Sequence, residues 1–171
     1  MPENQFNLEQ IALLNRCKAA CEGLVAERFR IPALPSSLYP YELATLIDLD
    51  PGERSDVALA HLVVYERQRA SGVERLFRVC LMDDLILTRA AEAPRPWLRS
   101  LLSYVLAHEL IHVVRFCRQE QSYLLPGQLR EQEERRVHEL TLELLASQEL
   151  EDKERLHGLW GIDRLSREPV A

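Results

Sequence analysis

The chain has 171 residues, 47% of them hydrophobic and 28% charged, with a formal net charge of −6. That balance suits one soluble globular domain able to bury its own core, and excludes a disordered, collagen-like or disulfide-stapled chain. The basic residues, nearly all arginine, are scattered among acids and form no nucleic-acid-binding stripe. No run of about 18 apolar residues reads as a membrane span, and the opening Met1-Pro2-Glu3-Asn4-Gln5 lacks a secretory signal pattern, which predicts a cytoplasmic protein.

A single domain over 1–171 is expected, with an N-terminal helix within 1–30 and a loose C-terminal segment at 151–171. Asn7 followed by Gln10 makes a helix N-cap with its partner at N3. Ile11, Leu14, Cys17, Cys21, Leu24 and Val25 then recur at helical spacing, predicting a helix from 8 to about 29. Pro32, Pro35 and Pro40 break the following stretch, so no regular element is expected before about residue 56. Segments 57–65 and 76–82, rich in valine, leucine and aromatics, predict an antiparallel hairpin with Ala70-Ser71-Gly72 between them. Asp83-Asp84 reads as a tight turn into a short extended piece at Leu85-Ile86-Leu87.

After Pro94 and Pro96, the stretch from Trp97 to Phe116 is apolar almost all the way round, as a buried central helix would be. Tyr123 to Gly127 reads as a loop. A second long helix follows from 128 to about 150, with Val137, Leu140, Thr141, Leu144 and Leu145 facing inward. The charged final twenty residues suggest a short helix and a loose tail. Cys17, Cys21, Cys80 and Cys117 fit neither a disulfide framework nor a paired zinc motif, and are read as buried free thiols. These elements predict an α+β fold, a small antiparallel sheet packed on a buried helix with additional helices around it.

The central helix carries Val105-Leu106-Ala107-His108-Glu109-Leu110-Ile111-His112, an HExxH string. Histidines four residues apart lie on one helix face, so their imidazoles can converge on one ion at roughly 2 Å bond lengths. Glu109 sits about 100° round the helix, where a carboxylate can serve water as a general base without being a ligand. From Leu101 to Val114 every residue outside the motif is uncharged. Burying unpaired charge there is costly, and a divalent cation would remove most of that cost. A catalytic zinc needs a third protein ligand, and the next helix offers Glu134 and His138, one turn apart on its inward face.

These residues resemble the zincin metallopeptidases, and among them the gluzincins, whose third ligand is a glutamate on a helix downstream of HExxH. The likeness covers roughly 97 to 146. It rests on His108-Glu109-Leu110-Ile111-His112 and on Glu134-Arg135-Arg136-Val137-His138, similar to the family's ExxA followed by Asp or Asn; the separation, 134 minus 112 or 22 residues, suits such enzymes. The wider pattern looks like small bacterial peptidases that cleave phage or stress repressors. The resemblance implies a minimal zincin-like domain and a Zn2+ cofactor held by His108, His112 and Glu134. It implies Glu109 as general base, and a peptide or protein substrate held against a sheet edge, for which 76–82 is the candidate strand. His138 stands where the family carries a carboxylate or amide that orients a zinc histidine, which makes it the alternative third ligand. Residues 113–118 lack the glycine and third histidine of the metzincin branch. Tyr123, His157 and nearby arginines are the candidate oxyanion stabilisers.

Two rivals follow from the same residues. One is a non-catalytic metal-binding domain acting as a binding module. The other is a di-iron helical protein built on Glu109-Leu110-Ile111-His112, which needs a second Glu-x-x-His; position 135, three before His138, is arginine.

Overall fold

The computed structural model describes residues 5–93, 96–120 and 125–159. The first helix, α1 (Leu8–Phe29), starts at the expected capping box: Asn7 Oδ1 accepts from the Gln10 N–H at 2.9 Å, and Gln10 Oε1 accepts from the Asn7 N–H at 2.8 Å. It ends where Arg30 turns into the left-handed region at φ 53°. Leu14, Cys17, Cys21 and Val25 form its buried stripe.

The proline-rich stretch, expected to hold no regular element, contains strand β1 (Tyr41–Ala44) and a single 3-10 turn at Pro51–Glu53. Pro40 favours extended backbone on entry, and its carbonyl accepts from the Phe77 N–H at 3.2 Å. The expected hairpin forms but is displaced towards its turn: β2 (Ala60–Arg69) starts three residues after Val57 and runs on past Tyr65, and β3 (Gly72–Leu81) starts four residues before Leu76 and stops one short of Met82, around a two-residue loop. Its outer half is polar and exposed, tied by Arg75–Glu66 at 2.7 Å and Arg69–Glu74 at 2.8 Å. The strand order is β1-β3-β2, with β1 parallel to β3 and β2 antiparallel to it. The sheet is therefore mixed, not purely antiparallel. The expected peptide-binding strand, 76–82, falls largely in β3, the central strand; the sheet's edges are β1 and β2.

Asp83-Asp84 also corrects the sequence reading, because it opens a helix, α2 (Asp83–Ala91), in place of a turn and an extended piece. Two acids in a first turn complement the helix dipole. Asp83 is held there by distant backbone, accepting from the Phe6 N–H at 3.1 Å and the Leu46 N–H at 3.2 Å.

The central helix, α3 (Leu98–Cys117), is buried continuously from Ser100 to Phe116. By length and composition it is apolar enough to cross a membrane, contrary to the expectation that no such run exists, yet 94% of that stretch is buried inside the protein, as in a core helix. It packs against α1, α2, β2 and α4 (Gly127–Leu145), and against a 3-10 segment at Lys153–Leu159 that buries Leu156 and Leu159. α4 ends at Leu145, five residues short of the expected boundary. The expected tail beyond 159 and the residues Pro94 and Tyr123 lie outside the described residues. All four cysteines are free; Cys17, Cys21 and Cys80 are buried, whereas Cys117 is half-buried.

Candidate metal centre

On α3 the four-residue spacing stacks His108 over His112, with ring centroids 4.9 Å apart. The His112 ring lies against Phe116 at 5.7 Å, and Phe116 stacks on Phe77 of β3 at 5.9 Å. One imidazole is thereby braced against the sheet.

Glu134 comes from α4. Val137, Thr141 and Leu145, spaced four residues apart, are buried against α3, and the Thr141 hydroxyl returns its hydrogen to the Val137 carbonyl at 2.7 Å. That face carries Glu134 inward at its N-terminal end. Three distances define the group: His108 Nε2 to His112 Nε2, His108 Nε2 to Glu134 Oε2, and His112 Nε2 to Glu134 Oε2, each 3.2 Å. His112 is fully buried, His108 is 3% exposed and Glu134 7%.

Three such contacts cannot all be good hydrogen bonds. Two neutral imidazoles bring at most two protons to this triangle, and a carboxylate brings none. A cation satisfies all three lone pairs at once. Donors around a tetrahedral ion with bonds of about 2.0–2.1 Å stand about 3.3–3.4 Å apart, close to the separations here, so the residues fit. Among the described residues, His108, His112 and Glu134 are the one group able to hold a metal ion.

Glu109 is 1% exposed and is not among the three converging donors. It lies close enough to β3 for its charge to act on Cys80, whose thiol is pushed up to about 12, mainly by burial and then by Glu53, with Glu109 adding to the rise. His138, the alternative ligand, is also buried, and its Nδ1 faces the Tyr104 hydroxyl at 2.5 Å. Burial, followed by the neighbouring charges of His108 and His157, holds its pKa down to about 4. A neutral ring that accepts the Tyr104 proton at Nδ1 carries its own proton on Nε2. Of the oxyanion candidates, His157 lies in the 153–159 segment near enough for its charge to bear on His138; Tyr123 is outside the described residues.

Two contributors escaped the sequence reading. Tyr104 stands one turn before His108, and its ring lies 5.7 Å from both His108 and His138. Arg115 stands three residues after His112, 4% exposed, paired to Glu133 and Glu120. The signal for both was their helical spacing from the motif, positions −4 and +3 on the same side of α3. No family model, curated protein or solved structure matches this chain.

Proposed function

We propose that this chain is a zinc-dependent hydrolase of the zincin type, acting on peptide bonds. The observation that carries the reading is the buried triangle of two imidazole nitrogens and one carboxylate oxygen, every edge 3.2 Å, with a carboxylate next to one histidine in sequence but outside the donor set. His108, His112 and Glu134 would hold the ion. When bound, zinc supplies a Lewis acid and lowers the pKa of water towards neutrality. Glu109 accepts the proton of the attacking water and returns it to the departing amine, so the carboxylate ends each cycle as it began. Tyr104 holds the His138 ring in one tautomer beside the triad. A peptide substrate would be held by backbone pairing on the outer edge of β1 or β2, since β3 is occupied on both sides along 77–80.

Near-complete burial of His108, Glu109, His112 and Glu134 favours a second reading, a structural metal site in a non-catalytic binding module. The Glu109→Gln variant separates the two: an enzyme loses turnover and keeps its metal, whereas a structural site changes little in either respect. The founding test is metal content by mass spectrometry on chain purified without nickel or chelator. Zinc near one per chain, lost in Glu134→Ala and kept in His138→Ala, is the expected result. Iron in its place would point to other chemistry of the same donor set, and no metal after zinc is added back would end the hydrolase reading.

A further inference from the structure

We infer that Arg115 is a positioning residue for the metal group, setting the register of α4 on α3 so that Glu134 reaches both histidines. The inference rests on the metal reading of the triad, and it holds whether or not the site hydrolyses peptides. Arg115 Nε and Nη2 donate to Glu133 Oε1 and Oε2 at 2.5 and 3.0 Å, a two-pronged pair, while Nη1 donates to Glu120 Oε2 at 2.8 Å. The Glu120 N–H in turn donates to the Arg115 carbonyl at 3.0 Å. A guanidinium buried in an apolar helix is tolerated only when its donors are matched in this way.

Glu133 immediately precedes Glu134. Each residue of an α-helix turns the side chain by about 100° and advances it by about 1.5 Å, so a slip of a single position would carry the Glu134 carboxylate out of the triangle. The apolar contacts of Val137 and Leu145 resist such a slip less sharply, because greasy surfaces accept small rotations that a planar fork does not. Arg115 sits at i+3 from His112, on the same side of α3 as the donors, and so ties the two helices together one turn from the metal group.

The test uses the full chain and cobalt(II) as the probe, titrated in competition with a chromophoric chelator, for wild type, Glu133→Gln, Arg115→Lys and the control Glu120→Gln. Glu133→Gln is expected to weaken cobalt binding about 10–100-fold and to alter the visible cobalt bands, with its circular dichroism unchanged. Arg115→Lys, which keeps the charge and loses the fork, moves both readouts in the same direction by less. Glu120→Gln, which leaves the α4 pair intact, stays within about threefold of wild type. A folded Glu133→Gln chain with wild-type affinity and bands overturns the inference while leaving the metal reading standing. Should Glu133→Gln fail to fold, Arg115→Lys carries the same test with the same refuting result. Wild-type chain that binds neither cobalt nor zinc overturns both.

Discussion

Glu134→Gln should be nearly silent without metal and costly with it, and the size of the change can be worked from the site. The substitution keeps the side chain's length and volume and removes its charge. In chelator, the glutamine still offers one acceptor oxygen to the two imidazoles that stand 3.2 Å from Oε2, so the variant should lie close to wild type in stability. With free zinc at about 1,000 times the wild-type dissociation constant, binding stabilises the native chain by about 4 kcal/mol. A change to a partner outside the ligands costs about 10–100-fold in affinity, and loss of a ligand's charge belongs at the upper end. A 100-fold loss leaves the variant at about 10 times its own constant and stabilised by about 1.4 kcal/mol.

For a chain of this length each kcal/mol moves Tm by about 2–4 °C, so zinc should raise Tm by about 8–16 °C in wild type and about 3–6 °C in the variant. Thermal melts by circular dichroism, run in chelator and in a zinc buffer of fixed free concentration, read this directly. Equal zinc-induced shifts in the two proteins would remove Glu134 from the ligand set. A variant already far less stable than wild type in chelator would show that the carboxylate serves folding and not metal.

Tyr104→Phe deletes the hydroxyl that faces His138 Nδ1 and with it a buried hydrogen bond, at a cost of about 0.5–1.5 kcal/mol by urea denaturation with unchanged slope; no measurable cost would refute the pairing. Phe116→Ala removes the ring between His112 and Phe77 and should cost about 3–5 kcal/mol, with weaker metal binding as the His112 ring loses its support. Acid stability should depend on Glu53: burial alone would raise its pKa, but hydrogen bonds from the Tyr65 hydroxyl, the Asp50 N–H and Arg78 outweigh burial and hold it below the ordinary value. A lowered folded pKa means stability fully present above about pH 4.5 and lost as pH falls through the folded value. Glu53→Gln should flatten that limb, and an unchanged acid transition would refute the assignment.

Local chemistry made much of the fold legible, and distant chemistry hid the rest. The Asn7–Gln10 box starts α1 because both partners lie within one turn of each other. The inward faces of α3 and α4 could be read because burial repeats at helical spacing. β1 is four residues long, and its partners, Phe77 to Cys80, lie more than thirty residues away, so nothing in its own sequence marks it as a strand. Asp83 resembled a turn residue because its real partners, the Phe6 and Leu46 backbone, are remote. The hairpin outgrew its predicted ends at the turn because Glu66, Arg67, Arg69, Glu74 and Arg75 look like loop residues until their cross-strand pairing is seen.

The same division runs through the site. HExxH needs one helix and so is complete within five residues, whereas the third donor depends on how two helices meet. Sequence spacing left Glu134 and His138 open because both lie on the buried face of α4, one turn apart. The helices' contact separates their surroundings: Arg115 grips Glu133, the adjacent Glu134 falls 3.2 Å from both imidazoles, and the next turn carries His138 to Tyr104. A sequence can therefore name the donors of such a group, but which of them converge is decided by a half-buried ion pair outside the motif. That makes Arg115 as informative a position as the histidines for judging whether a distant sequence with HExxH assembles the same triangle.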